Sequence, residues 1–365
     1  MGRTWCNVSN LLMGSTWCPM TNLVSMENVL FLFVASFSLL ISSFGIHAGA
    51  QVIGINYGTL GDNLPSPAQV VDLLKSRNIN LVRLFDPNPT ILPALQNSGI
   101  SAVVGVFNDD LPRLASDPAF AATWVQANVV PYINAGTSFR YITAGNEVIP
   151  GDLAGFVLPA MQNLDAALAA ANLHIPVSTV VHNVILGVSF PPSESAFNDE
   201  CSAIMAGIAG FLKSKNTPLL VNIYPYYGYA SDPENVRLDY ALFTASDAVV
   251  VDGPLNYYNL FDAALDGIYA ALEKAGYPDL SVVVSETGWP SGGGPDWTTA
   301  DNAMTYNNNA VKHVTSGNGT PRRPGTAIET YFFALFNEDL KPDGIERNWG
   351  LYYPDMTEVY HVDLP

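Results

Sequence analysis

Residues 281–291 read SVVVSETGWPS, a short apolar and β-branched run that ends at a glutamate and passes into a loop. Continuous apolarity is typical of a strand buried on both faces, as in a parallel sheet with helical crossovers. Seven similar runs occur elsewhere, separated mostly by longer segments with helical periodicity. They are VIGINY (52–57), NLVRLF (80–85), SAVVGVF (101–107), FRYITAG (139–145), PVSTVV (176–181), LLVNIY (219–224) and TYFFALF (330–336).

Eight predicted strands, each followed by a helix or loop, indicate an α/β fold: a (β/α)8 TIM barrel in a single domain. The helical segments agree with this fold. SPAQVVDLLKSRN (66–78) has an N-cap serine and then a proline at the first helical position, and residues 151–173 carry apolar residues at three- and four-residue spacing. An open doubly wound sheet is the alternative, but the first strand–helix turn lacks a Gly-x-Gly-x-x-Gly loop, so no dinucleotide site is indicated.

Composition limits the classes of function. The chain has 33 acidic and 15 basic residues and a formal net charge of −18, so we do not expect nucleic-acid binding. Hydrophobic residues make up 48% of the chain, which favours a large core. Cys201 is the only cysteine after residue 50 and has no metal-ligand spacing around it. We predict that it is a core thiol.

The N-terminal 50 residues are predicted to be a targeting segment. Residues 29–44 form an apolar run shorter than the about 20 residues of a membrane-spanning helix. Ala48-Gly49-Ala50 then fits a signal-peptidase site before Gln51. The polar stretch before Met26 has Arg3 as its only cation, which suggests an upstream extension of the signal peptide. Residues 51–365 are predicted to form the folded domain, and a membrane anchor is the alternative for the apolar run.

Two glutamates stand where predicted strands end. Glu147 follows the fourth strand and Glu286 ends the seventh, and active sites of (β/α)8 enzymes lie at such C-terminal ends. These two strands face each other across the mouth of a closed barrel. Cleavage of a glycosidic bond requires one carboxylic acid to protonate the leaving oxygen and one carboxylate to attack carbon or activate water. A helix-cap partner or a solvated rim charge is the structural alternative for either residue alone.

The segment VVVSETGWPS (282–291) resembles the signature of glycoside hydrolase family 17, which includes plant endo-1,3-β-glucanases and mixed-linkage glucanases. The resemblance implies a retaining mechanism, with Glu286 as nucleophile and Glu147 as proton donor. It also implies that Glu338, Lys341 and Glu346 position the substrate and tune the nucleophile, with a structural salt-bridge network as the alternative. Further similar segments are IGINYGTLGDNLPSP (53–67), VRLFDPNP (82–89), AGNEV (144–148), YPYYGY (224–229), FNEDLKP (336–342) and NWGLYYPD (348–355).

Further residues are candidates for substrate binding. Asn146 could donate a hydrogen bond to a sugar 2-hydroxyl, and Lys341 could place positive charge near Glu286. Aromatic faces suit the C–H faces of glucose, although packing in the core or at the rim is an equally good role for any one ring. The aromatic candidates at strand ends are Tyr57, Tyr224, Trp289 and Phe336.

Two remaining signals have simple interpretations. His182 ends the fifth strand without further metal ligands at suitable spacing, so we predict a hydrogen-bonding histidine and no metal site. Asn318-Gly319-Thr320 is a glycosylation sequon in a Gly-rich turn.

The sequence therefore predicts a secreted, extracellular and monomeric hydrolase of the plant cell wall that needs no cofactor. Its expected partner is a β-glucan such as callose or a laminarin-like polymer, cut at internal 1,3-β-D-glucosidic linkages, and no membrane contact is expected after signal cleavage. A 1,3;1,4-β-glucanase on the same fold is the nearest alternative, because linkage choice depends on loops. A glucan-binding or allergen-like protein without catalysis is the alternative from another class.

Overall fold

The computed structural model describes residues 52–364. The predicted signal peptide and the apolar run at residues 29–44 lie outside the described residues. Twelve strands occur within the described range. They are β1 (Ile53–Asn56), β2 (Leu81–Leu84), β3 (Ser101–Gly105), β4 (Ser138–Asn146), β5 (Val177–His182), β6 (Leu186–Val188), β7 (Ala196–Phe197), β8 (Leu219–Asn222), β9 (Val250–Asp252), β10 (Leu255–Tyr257), β11 (Val282–Thr287) and β12 (Thr330–Phe332).

Eight of these strands close into a parallel barrel. Around the ring they follow the order β1, β2, β3, β4, β5, β8, β11 and β12, and β12 pairs again with β1. All eight coincide with the predicted apolar runs, which confirms the (β/α)8 fold class. The other four strands form two short antiparallel hairpins, β6–β7 and β9–β10, which were not predicted.

Helices cover the outside of the barrel. They are α1 (Pro67–Ser76), α2 (Ile91–Ala94), α3 (Leu111–Ser116), α4 (Pro118–Asn128), α5 (Val130–Asn134), α6 (Ala154–Ala170), α7 (Asp199–Lys215), α8 (Pro225–Ser231), α9 (Leu238–Ala241), α10 (Leu260–Lys274) and α11 (Ala300–Thr315). Four short 3₁₀ turns occur at Asn108–Asp110, Asn183–Ile185, Pro192–Glu194 and Ile345–Arg347. The start of α1 is the predicted one, because Ser66 and Gln69 form a capping box and Pro67 occupies the first turn.

The core has two parts that follow from the barrel. One residue from each of seven barrel strands fills the inside of the barrel: Leu81, Val103, Tyr141, Val180, Leu220, Val283 and Tyr331. A larger apolar layer lies between the strands and the helices. Cys201 is completely buried in α7 within that layer, as predicted for a core thiol. Within residues 52–364, no helix has the length and apolarity needed to cross a membrane.

Candidate active site

Glu147 lies immediately after β4, in a backbone conformation that few side chains adopt. Its φ angle is 55°, in the left-handed region, and it follows Gly145 at 88°. The Glu147 amide donates to the carbonyl of Val180 on β5 at 3.0 Å, which holds this turn in place. Left-handed backbone at a residue other than glycine costs about 1–3 kcal/mol and occurs disproportionately at functional sites.

The surroundings of Glu147 favour its protonated form. The side chain is open to solvent at the mouth, but the walls of the cleft desolvate it, and this desolvation is the largest cause of a raised pKa. The negative charge of Glu286 raises the pKa of Glu147 further, so the two carboxyl groups are close enough to repel each other. Asn222 donates to Oε1 of Glu147 at 2.7 Å and opposes the rise in pKa, as do His182 and Arg83.

Glu286 lies on β11 and is 6% exposed. Arg83 Nη1 donates to its Oε1 at 2.5 Å, and the hydroxyl of Tyr224 donates to its Oε2 at 2.7 Å. Hydrogen bonds from a cation and a hydroxyl stabilise negative charge on a carboxylate and fix its orientation. The two glutamates therefore have different environments, and this difference suits one acid and one anionic carboxylate.

Arg83 organises the floor of the site, although we did not predict a role for it. It lies on β2 and is 1% exposed. Besides Glu286, its guanidinium donates to Oδ1 of Asn56 at 2.9 Å and to Oδ1 of Asn146 at 2.7 Å. One buried cation thus joins four barrel strands. The signal was present in the sequence, because a charge in an otherwise apolar strand has to find a partner inside the barrel.

Asn146 is held in place by two neighbouring residues, Asn108 and Arg83. Its main chain exchanges two hydrogen bonds with the side chain of Asn108, at 2.9 and 3.0 Å. Its Oδ1 is occupied by Arg83, and its Nδ2 has no hydrogen-bond partner within residues 52–364. The amide is therefore fixed with its N–H groups unused, which is compatible with the predicted contact to a sugar hydroxyl.

The aromatic candidates divide into two groups. Tyr224 is half-buried and contacts Glu286, whereas Tyr57, Phe336 and Trp289 are only 4%, 2% and 0% exposed. Trp289 packs 5.2 Å from Tyr226 between ring centroids and donates its indole N–H to a carbonyl in the following loop. Tyr57 and Phe336 pack against each other at 6.2 Å. The burial of these three rings in the core agrees with the packing alternative, and a sugar contact for any of them stays a prediction.

An exposed aromatic residue near the site was missed. Tyr227 is 47% exposed and contacts the rings of Tyr224 and Trp349 at 5.6 and 6.0 Å between centroids. Its hydroxyl donates to Glu346 at 3.4 Å, which links that predicted residue to the same group. The motif YPYYGY contains four tyrosines, and sequence alone does not show which of their rings faces solvent.

Lys341 pairs with Glu338, and a role for its charge near Glu286 stays a prediction. Its Nζ lies 3.0 Å from Oε2 of Glu338 and 4.3 Å from the centroid of the Phe333 ring, whereas Arg83 pairs with Glu286. Glu338 is 2% exposed and also accepts a hydrogen bond from the amide of Leu60 at 2.7 Å. Glu338 and Lys341 therefore form a buried ion pair, in agreement with the structural alternative.

No metal site accompanies the two glutamates in the described part of the chain, where no three His, Cys, Asp or Glu side chains are grouped to hold an ion. His182 instead lies near enough to Glu147 to lower the pKa of that carboxyl. Two carboxyl groups at one barrel mouth suit acid–base and nucleophilic chemistry by side chains.

Comparison with known proteins identifies the family. The model for glycosyl hydrolases family 17 matches residues 53–364. A glucan endo-1,3-beta-glucosidase of Vitis vinifera is 50% identical over 87% of this chain and 93% of its own length. Lichenase-2 of Hordeum vulgare is 48% identical over 86% of this chain and 99% of its own length. The structure of CJP38, described as a beta-1,3-glucanase and allergen of Cryptomeria japonica pollen, superposes with a TM-score of 0.83 at 44% identity, over 86% of this chain and 99% of that one. Because the family model matches nearly the whole described range and these relatives are 44–50% identical, the chain belongs to the glycosyl hydrolases of family 17.

Proposed function

We propose that this chain hydrolyses internal 1,3-β-D-glucosidic linkages in β-glucans, with Glu147 as the proton donor and Glu286 as the nucleophile. The observation that carries the proposal is the unequal environment of the two carboxyl groups at one barrel mouth. The pKa of Glu147 is raised, while Glu286 accepts hydrogen bonds from a buried arginine and a tyrosine. The linkage follows from the relatives named glucan endo-1,3-beta-glucosidase.

In the proposed first step, a carboxylate oxygen of Glu286 attacks the anomeric carbon of a glucose unit. The bond to the glycosidic oxygen breaks, and Glu147 gives its proton to that oxygen. In the second step, Glu147 takes a proton from water, the water oxygen attacks the same carbon, and Glu286 is released. Two displacements on one carbon retain its configuration. Arg83 and Tyr224 hold Glu286 in position throughout.

We also propose that the chain is secreted and acts as a monomer. The apolar run at residues 29–44 and the small residues at 48–50 support a cleaved leader. The side chains that hold the two glutamates in the proposed chemistry, Arg83, Asn222 and Tyr224, all belong to this chain, and a monomer is therefore the simplest form of the proposed enzyme. With cleavage before Gln51, the mature enzyme would begin just before β1.

A mixed-linkage 1,3;1,4-β-glucanase is the second candidate, because lichenase-2 is 48% identical to this chain, close to the 50% of the glucan endo-1,3-beta-glucosidase. Release of reducing sugar from laminarin and from lichenan separates the two. We expect kcat/KM to be at least about tenfold higher on laminarin, with a ladder of internal cleavage products. Faster cleavage of lichenan would assign the second function, and binding of laminarin without any product would exclude both.

Replacement of Arg83 by lysine is expected to lower kcat/KM on laminarin about 100-fold. Lysine keeps the positive charge but lacks the planar guanidinium that contacts Glu286, Asn56 and Asn146 together. A displacement of the reacting groups by about 1 Å can lower the rate by about 100-fold. Arg140→Lys is the matched control, because Arg140 pairs with Glu329 at the opposite end of the barrel. Equal activity of the two folded variants would contradict the role of Arg83.

A further inference from the structure

The loop that joins α11 to β12 lies at the end of the barrel opposite the active site. β12 runs parallel to the other barrel strands, and the two glutamates stand at the C-terminal ends of β4 and β11. Residues 316–329 precede β12 and therefore lie at the N-terminal end. Asn318-Gly319-Thr320 in this loop is the only Asn-x-Ser/Thr triplet without a central proline in residues 51–365.

The loop presents the side chain of Asn318 to solvent. Asn318 is exposed, and its side-chain amide makes no hydrogen bond within the described range of the chain. Its backbone is fixed instead: its N–H donates to Oγ of Ser316 at 3.1 Å, and its carbonyl accepts from Gly325 at 2.7 Å. Gly319 on its C-terminal side has a φ angle of 69°, which forms the tight turn. A large group on Nδ2 of Asn318 would extend away from the protein.

Thr320, the third residue of the sequon, has the opposite environment. It is 2% exposed, and its hydroxyl donates to the carboxylate of Asp266 on α10, which is completely buried. The same hydroxyl accepts a hydrogen bond from the amide of Arg323 at 3.1 Å. In the folded protein this hydroxyl is therefore buried and already paired. An enzyme that recognises the sequon through Thr320 can reach it only while the loop is open.

We infer that Asn318 carries an N-linked oligosaccharide that is attached before residues 316–328 close against α10. In the transfer, Nδ2 of Asn318 forms a bond to C1 of the first sugar of a lipid-linked diphospho-oligosaccharide. The bond from C1 to the diphosphate oxygen breaks, Nδ2 loses one proton, and the lipid diphosphate leaves. The inference rests on the proposed entry into the secretory pathway and is independent of the two glutamates.

The full chain, expressed in a eukaryotic secretory host, tests the attachment by intact mass before and after endoglycosidase treatment. We expect a mass increase that the glycosidase removes, in the wild type and in Thr320→Ser, which keeps both the sequon and the hydroxyl. Asn318→Gln and Thr320→Val should lack the increase. Asn318→Gln should also keep the wild-type kcat/KM on laminarin, which separates this inference from the proposed function. Secretion at the unmodified mass, or no secretion, overturns it.

The order of events has its own test. Chain made in bacteria, without glycosylation, is incubated with oligosaccharyltransferase and a lipid-linked oligosaccharide, once folded and once held unfolded in urea concentrations that the transferase tolerates. We expect modification of the unfolded chain alone, because folding buries the hydroxyl of Thr320. Equal modification of the folded protein would show that the loop does not have to be open.

Discussion

Glu286→Gln is expected to lower kcat on laminarin by on the order of 10⁴-fold or more, because an amide cannot form the covalent intermediate. Glutamine has nearly the same shape, its carbonyl oxygen can still accept the hydrogen bond from Arg83, and its amide N–H can donate to the hydroxyl of Tyr224, so the change removes mainly the nucleophile. The measurement is initial release of reducing sugar, together with the thermal midpoint of unfolding. The midpoint is needed because the variant leaves Arg83 buried without its counter-charge.

Glu329→Gln is the matched control for this variant. It makes the same chemical change in a carboxylate that pairs with Arg140, far from the mouth. We expect the control to keep the activity of the wild type. A folded Glu286→Gln protein with comparable activity would show that another group attacks the sugar.

Glu147→Gln should lower kcat/KM on laminarin by about 10²–10⁴-fold, which is the usual contribution of a general acid. On a glucoside with a very good leaving group, the variant's rate of the first step should fall much less, because the leaving oxygen needs no proton. The diagnostic quantity is therefore the fold-loss in kcat/KM on laminarin divided by the fold-loss on the activated glucoside. Similar losses on both substrates would contradict the role of Glu147 as the proton donor.

The same variant should change the pH profile. Burial and the charge of Glu286 raise the pKa of Glu147, so the wild type keeps its acid protonated above the usual range of a glutamate. Its rate falls as pH rises through that pKa, because the proton is then lost before it can be delivered. Glu147→Gln has no such proton and should lack this high-pH decline on the activated substrate. Persistence of the decline would assign it to another group.

The barrel strands could be predicted because each is buried on both faces, so that its sequence is continuously apolar. The hairpins β6–β7 and β9–β10 could not, since strands of two or three residues with exposed positions have no periodicity to detect. Both glutamates could be located from strand ends alone. The left-handed backbone of Glu147 could not, because contacts with a neighbouring strand hold it there.

The orientations of two predicted site residues could not be read from the sequence, and the physical cause is the same for both. Trp289 and Lys341 were placed correctly along the chain, but the direction in which a loop side chain turns depends on residues distant in sequence. Trp289 faces tyrosines that follow β8, and Lys341 pairs with Glu338, which in turn accepts a hydrogen bond from the distant amide of Leu60. Arg83 differs, because a charge in a strand that is buried on both faces has to find a partner, and the sequence already shows that requirement.

The hydrogen bond from Asn222 to Glu147 determines the direction of proton delivery. Since Oε1 already accepts the amide N–H, the acidic hydrogen of the neutral carboxyl belongs on Oε2, which has no partner within residues 52–364. A glucan can then receive the hydrogen from one side of the cleft only. Asn222 also accepts a hydrogen bond from the hydroxyl of Ser285, which favours the amide orientation that donates to Glu147. An asparagine that contacts the acid would thus fix the side from which a polysaccharide is cut.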